Sequence, residues 1–422
     1  MDNKQLTNSR FGKWGWSMII YAFLLYYFYA ALCVDSMNLY PDTFAGLYGM
    51  DRNLLLGFAT PAGVIGVIGG VVFGRICIKT GVRKMSAWSL IITGVLYAIF
   101  GYSSTPVMYL ITLTAVSFVA NAFGLIATAT LMGNWFPRKK GIALGWATMG
   151  APLCSATVVP ILSTLYGNIG LQLSSIVVGA VVLLLGIISF FWVKDYPEEV
   201  GAYPDNIAQG AEQAESQMAA MRAYKSPFTI GRLLRDKDMW LIAIGFGLLW
   251  MVTVGIISQF VPRMISVGNS PETATLMLTI ASLVGLVGSY FWGWLDQKIG
   301  TKLASCVYSL SYIIALLLLI FAQVQALVYV GIIFVGFGIG GLLNLMPSLV
   351  IAVYGRYDFT AANSLVSSIA SLLQKAAFAI MAVLLTISNN DYTLPYSVFI
   401  GIDVLGLILL LLVTNKCKGK QD

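Results

Sequence analysis

The chain contains no histidine and only five cysteines, Cys33, Cys77, Cys154, Cys306 and Cys417, none at the spacing of a metal cluster or a disulfide framework. Zinc chemistry is thereby excluded, because zinc sites draw on close sets of His and Cys, and no metal site is expected. Charge is scarce as well. Asp, Glu, Lys and Arg make up 10% of residues, against about 25% in a soluble domain, so a soluble fold is excluded. No Gly-x-x-x-x-Gly-Lys-Ser/Thr loop is present, which removes primary ATP-driven pumping. Nor is there an Asn-x-Ser/Thr sequon, an absence that fits a bacterial membrane better than a glycosylated surface. No paired catalytic constellation stands out, so the chain reads as a non-enzyme with no cofactor.

What is there is apolar. Hydrophobic residues form 58% of the 422, in runs that cut into about twelve membrane-length segments of roughly 20 residues. The predicted helices are 14–42, 53–76, 84–103, 106–133, 140–166, 171–193, 239–265, 272–296, 301–322, 325–354, 360–387 and 392–414. The first run is too long for a signal-peptide core and stays as helix 1. Of the 25 Lys and Arg, Lys375 alone falls deep inside a run, and only Arg52 and Arg263 fall in the odd-numbered gaps. All the others occupy the tails and the even-numbered gaps. Cytoplasmic loops collect Lys and Arg, so both termini are expected in the cytoplasm and the chain in the cell (inner) membrane. The net charge of +7 is what such loops produce and calls for no nucleic acid.

Polarity breaks once, from Lys194 to Asp238, a segment rich in Glu, Gln, Ala and Lys. It divides the chain into an N-terminal six-helix bundle (1–193), a linker (194–238) ending in a short amphipathic helix over Pro227–Asp238, and a C-terminal six-helix bundle (239–422). The halves echo one another. Gly74-Arg75-Ile76-Cys77-Ile78-Lys79-Thr80-Gly81 follows helix 2, and Gly293-Trp294-Leu295-Asp296-Gln297-Lys298-Ile299-Gly300 follows helix 8, with Gly, Lys and Gly at matching offsets. Two matched six-helix halves are the mark of a duplicated transporter with its site between them at mid-membrane. A complete pathway then fits in one chain, and a monomer suffices.

Both loops, followed by Arg83, Lys84 and Lys302, resemble the Gly-x-x-x-Asp-Arg-x-Gly-Arg-Lys loop of the major facilitator superfamily. The usual acidic position is Ile78 in the first copy and Gln297 in the second, with Asp296 one residue earlier. The resemblance implies an all-α fold of twelve transmembrane helices in two pseudo-symmetric bundles, and alternating access in which the loop acid braces the outward-facing state. Asn134-Trp135-Phe136-Pro137-Arg138-Lys139-Lys140-Gly141-Ile142-Ala143-Leu144-Gly145 is similar to the loop between helices 4 and 5 of the oxalate:formate antiporter and monocarboxylate transporter branch. Ser226-Pro227, Leu233-Leu234-Arg235 and Met239-Trp240 are similar to that branch's approach to helix 7. The branch implies small organic carboxylates as substrates. It also implies an arginine in helix 8, where this chain has Ser289, so one positive charge is left to receive the substrate.

That charge is Lys375. A lysine at the bilayer centre costs about 2.5–3.5 kcal/mol on insertion scales, so it faces a cavity or a partner acid. It reads as the receptor of a substrate carboxylate, with Gln374 beside it, and members of the branch carry a lysine in this helix for that purpose. The structural alternative is an ion pair with Asp403 in helix 12. Asp35, in the outer half of helix 1, is a candidate proton-coupling carboxylate, a partner for a cationic substrate group, or a solvated cap of the funnel. Arg263 reads as an interfacial side chain rather than a gate. Tyr26, Tyr27 and Tyr29 in helix 1 and Trp250 in helix 7 can form a cage around a carboxylate or quaternary ammonium, or simply pack. Asn121, Gln259 and Asn344 lie on helices that line the pathway in this fold, as substrate contacts or interhelical glue. Gly63, Gly66, Gly69 and Gly70, with Gly145 and Gly150, read as close-packing positions, and Pro152 as a flex point.

The leading function is secondary transport of a small organic anion, a monocarboxylate for preference, by proton coupling or exchange. A carrier of cationic or zwitterionic compounds using Asp35 and the helix 1 aromatics is the alternative. A solute sensor and a membrane-embedded enzyme stand behind both.

Overall fold

A computed structural model of the chain describes residues 10–207, 224, 226–321, 324–389, 391–414 and 416–419. Ten helices among the described residues are long and apolar enough to cross a membrane. Two of them, Ala59–Phe100 and Ala326–Ala377, have double length and break at glycines in the left-handed region, which gives twelve passes. These are α1 (Gly12–Cys33), α2 (59–80), α3 (82–100), α4 (Pro106–Trp135), α5 (140–169), α6 (171–192), α7 (237–266), α8 (Pro271–Ile299), α9 (Thr301–Ile320), α10 (325–354), α11 (356–387) and α12 (Thr393–Leu411). The linker segment thus falls between the sixth and seventh passes.

The repeated loops have a backbone reason. Gly81 (φ 81°, ψ 167°) ends α2 and Gly300 (φ 85°, ψ 153°) ends α8, both in a region where any Cβ is strained. The preceding glycine of each copy is a packing position. A Cβ on Gly74 would collide with Ser364 of α11, and one on Gly293 would meet the Gly141 backbone of α5 and Asn344 of α10.

Two buried clusters form the cores. One gathers side chains of α1–α6 and the segments joining them, such as Tyr21, Leu25, Phe44, Phe123 and Trp135; the other, apart from Ala129, gathers side chains of α7–α12 and their flanking segments, such as Phe228, Phe246, Trp292, Tyr308 and Phe399. The halves meet along two antiparallel seams. In the first, Gly63, Gly70 and Gly74 of α2 face Lys375, Ser368 and Ser364 of α11. In the second, Gly141, Gly145 and Pro152 of α5 face Asp296, Ser289 and Gly285 of α8. Glycine stripes allow backbones to approach where lipid gives helices no hydrophobic drive to associate. The second seam is unforgiving on the linker side. A methyl at Gly141 would lie 2.7 Å from the Gly293 carbonyl oxygen and 3.0 Å from Asp296 Cγ. Gly141→Ala is therefore expected to destabilise the fold by about 1–3 kcal/mol, the usual cost of overpacking. A melting midpoint in detergent equal to that of the parent would refute this.

Three expectations need correction. Helix 1 does not run to residue 42: α1 stops at Cys33, and a 3₁₀ turn over Asp35–Asn38 leads into a separate helix, Tyr40–Tyr48. Pro41 in the first turn starts that helix, and the Ser36 hydroxyl bonds back to the Ala31 carbonyl, so local polar groups compete with the ladder. Helix 4 is not regular either. Ala122–Ala127 forms a π-helical turn in which Thr128 Oγ1 bonds the Phe123 carbonyl at 2.7 Å, with Gly124 under the Tyr29 ring. The amphipathic helix before α7 shrinks to one turn, Ile230–Leu233, because the Asp236 carboxylate accepts from Asp238 N–H at 2.9 Å and caps α7. The linker from 208 to 223, with 225, lies outside the described residues.

Candidate functional site

Lys375 lies midway along α11, at the seam with α2. Its chain runs over Gly63: a Cβ there would be 3.1 Å from Cε and 3.6 Å from Nζ. The side chain is partly exposed and, among the described residues, makes no hydrogen bond and no ion pair. Asp403, its proposed structural partner, is fully buried in α12 and accepts from the Ser309 hydroxyl of α9. That ion pair is absent among the described residues.

Asp35 is partly exposed, two residues past the end of α1 and not in its wall. Ser155 of α5 donates its hydroxyl to both carboxylate oxygens at 3.1 Å. Tyr27 is on the same side, 2.9 Å from Thr157 Oγ1.

The other candidates scatter. Gln374 is partly exposed beside Lys375. Asn121 reaches the Gly66 face of α2 and donates to the Ser117 carbonyl at 2.7 Å, within its own helix. Tyr29 is partly exposed, with its ring against the π turn of α4. Tyr26 and Trp250 sit in the cores of the two halves. Gln259 marks the break within α7 and accepts from the Tyr392 hydroxyl at 3.3 Å. Asn344 is fully buried between α10 and α8, donating to the Ser289 carbonyl at 3.4 Å. Ser289 itself has no exposure, and Gly340 closes over its hydroxyl, leaving no room for a longer side chain.

The face that carries the linker is closed by a polar network. Asp296 is buried in it, accepting from Ser348 and lying next to Lys140, which donates to the Ser348 carbonyl at 2.7 Å. Gln297 Nε2 donates to the Arg138 carbonyl at 2.7 Å. Arg83 N–H donates to Asp195 at 2.6 Å, and Lys298 sits 4.7 Å from the centre of the Trp294 ring; Lys79 is exposed. Sequence reading missed the largest element. Arg356, at the start of α11, forms an ion pair with Glu198 at 3.3 Å, with side-chain exposures of 1% and 3%, and faces the Tyr196 ring. The signal available was a glutamate pair straight after the sixth apolar run, in a stretch dismissed as linker.

That strap is fastened further along by Asp205, which accepts from the N–H groups of Arg138 and Lys139 at 3.0 and 2.7 Å. Burial pushes its carboxyl up to about 6, partly offset by those N–H donors and by the Arg138 and Arg356 charges. An acid whose pKa rises on folding holds its proton more tightly in the folded chain. Its contribution to stability is complete below about pH 4 and disappears as the pH rises through about 6. Melting in detergent from pH 4 to 7 should show that decline, and Asp205→Asn should flatten it. An unaltered slope in the variant would rule the group out.

Two bundles of six helices, joined on one face by a polar network and carrying at a seam a Lys375 that is unpaired among the described residues, are the architecture of a two-half membrane transporter. The model of the Major Facilitator Superfamily matches residues 14–268 and 263–421, and the chain belongs to that family. It is a multi-pass membrane protein. Similar proteins include the uncharacterized MFS-type transporter YhjX of Escherichia coli (strain K12), 22% identical over 68% of each chain. The oxalate:formate antiporter of Oxalobacter formigenes is 22% identical over 60% of this chain, which spans 56% of the antiporter. The sialic acid transporter NanX of Escherichia coli (strain K12) is 24% identical over 84% of this chain and 82% of its own. Among solved structures, the proton:xylose symporter XylE superposes with a TM-score of 0.75 at 14% identity, over 96% of this chain and 97% of XylE.

Proposed function

We propose that this protein is a secondary transporter of a small organic anion, preferably a monocarboxylate, moved by alternating access of the two halves. The observation that carries this reading is Lys375, a basic side chain at the seam with no hydrogen bond or ion pair among the described residues. An ammonium retained within the membrane has to be met by a counter-charge, and an incoming carboxylate supplies one. Two relatives with acids in their names, the oxalate:formate antiporter and the sialic acid transporter, are consistent with an anionic substrate. Ser289, where the carboxylate-transporting branch has an arginine, favours a substrate with one carboxylate over one with two. Asp35, held by Ser155, is the proposed proton-coupling group. The excess of Lys and Arg in the tails and even-numbered gaps favours an inner-membrane protein with both ends in the cytoplasm. One chain contains both halves, so a monomer is the proposed working unit.

Counterflow in proteoliposomes with labelled monocarboxylates, dicarboxylates, amino acids and betaines at two external pH values tests the proposal. Accumulation of a monocarboxylate, stronger at acid external pH, is the expected result. Uptake confined to zwitterionic betaines or to cationic compounds would overturn it and turn attention to Asp35 and the helix 1 aromatics.

A further inference from the structure

Beyond α12 the chain runs across the start of α7 and the end of α10, and it is tied to both. Thr414 N–H donates to the Asp238 carboxylate at 2.8 Å, and Lys418 N–H donates to the Val353 carbonyl at 2.6 Å. That carbonyl belongs to the last turn of α10, where carbonyls lack partners within their own helix. Gly419 is pressed on the same turn: a Cβ there would collide with the Tyr354 carbonyl and lie 2.9 Å from the Asp358 carboxylate of α11. The Lys418 ammonium pairs with Asp236 at 2.5 Å and also with Asp238; the side chains are 33%, 11% and 9% exposed.

Neither acid needs this lysine in order to serve α7. Asp236 caps that helix and Asp238 stands in its first turn, where a helix N-terminus favours a carboxylate. The lysine arrives from 182 positions away and joins the start of α7 to the end of α10. The turn it covers bends through Gly355 in the left-handed region and carries Arg356, whose ion pair with Glu198 belongs to the closed linker face. One side of this turn is therefore held by the strap after α6, the other by the segment after α12.

We infer that Thr414 and residues 416–419 form a clasp over the α10–α11 turn, caught by Lys418 on the Asp236 and Asp238 pair, and that this clasp helps to hold the linker face shut. The catch is an ion pair of partly exposed groups, so added salt and loss of the lysine charge both weaken it. Its release loosens the seat of Arg356 while leaving both members of the Arg356–Glu198 pair in place. The device acts on the closed state itself and is independent of which substrate is carried.

Cys417, beside the catch and partly exposed, is a built-in reporter. The test uses the full chain in detergent with Cys33, Cys77, Cys154 and Cys306 replaced by serine, and a hydrophilic maleimide. Lys418→Gln should speed alkylation of Cys417 roughly 2- to 5-fold, the range of a partly exposed ion pair. The direction is diagnostic, because losing a neighbouring cation by itself makes a thiol less reactive. Lys418→Arg keeps the charge and should keep the parent rate, and raised salt should speed the parent but not Lys418→Gln. A second reporter is a cysteine at Ser364, which faces Gly74 across the first seam, in a background without the native cysteines. In proteoliposomes, a membrane-impermeant maleimide applied from the linker side should label it faster in Lys418→Gln by a similar factor. An unchanged or slower rate at Cys417 would overturn the clasp. A faster Cys417 with an unchanged rate at position 364 would overturn its hold on the linker face.

Discussion

Lys375→Gln is expected to abolish carboxylate uptake while leaving the protein folded and inserted. The substitution keeps a polar end on a side chain one bond shorter and removes the charge. A hydrogen bond to a charged group is worth about 1.5–3 kcal/mol, so substrate affinity should fall on the order of 10- to 150-fold. Folding should suffer little, because Lys375 has no partner among the described residues to be left behind. Removing an unpaired charge from the membrane interior even favours insertion. Lys375→Arg separates charge from shape. The guanidinium is longer and planar, and Gly63 leaves clearance for a slim methylene chain, so partial activity with altered preference among carboxylates is expected. Uptake in proteoliposomes and melting in detergent check both variants. Full anion transport by Lys375→Gln would end the carboxylate reading, whereas retained uptake of a betaine would support the cation alternative.

The second large effect concerns the closed face. Removing one partner of a buried ion pair costs about 3–5 kcal/mol because the other charge stays buried and unmatched. Glu198→Gln or Arg356→Gln should therefore weaken the state in which the linker face is shut, shifting its ratio to the open state on the order of 100- to 5,000-fold. A cysteine placed at Ser364, which is 6% exposed against Gly74, reports the change in a background where the five native cysteines are serine. Its reaction with a membrane-impermeant thiol reagent, applied from the linker side, should speed up in either variant. It should return toward the parent rate in the charge swap Glu198→Arg with Arg356→Glu. Unchanged labelling would show that Asp296, Lys140 and Ser348 hold the face shut unaided.

Much of the fold was legible because the bilayer imposes it. Run length and the distribution of Lys and Arg marked the passes, and the offset between Gly74-to-Gly81 and Gly293-to-Gly300 marked the duplication. The places where the reading failed share a cause. The break after Cys33, the π turn at Ala122–Ala127 and the cap at Asp236 coincide with local side-chain hydrogen bonds, which leave no trace in hydropathy. The candidate site was legible in one residue. Lys375 stood out by its cost, but its neighbour did not: Gly63 looked like any other packing glycine. Asn344, Trp250 and Gln259 were chosen by residue type on helices expected to line the pathway, and sequence does not say which way each side chain turns. Arg356 was hidden differently. It was grouped with the loop charges that orient the chain, and its partner lies 158 positions away.

The two seams between the halves match in geometry and differ in chemistry. Along α2 and α11, glycine meets serine, with a hydroxyl-to-carbonyl bond from Ser368 to Val67 at 3.2 Å. Contacts of this kind can be remade one residue further along at little cost. Along α5 and α8, Gly141 is pressed against Asp296, which Lys140 and Ser348 accompany in a buried cluster that loses its bonding once displaced. The first seam is held by packing and a lone hydroxyl bond, the second by bonds between buried polar groups. A pseudo-symmetric body is therefore fastened unevenly, by a buried polar cluster on the α5 and α8 side and by small-residue packing on the α2 and α11 side.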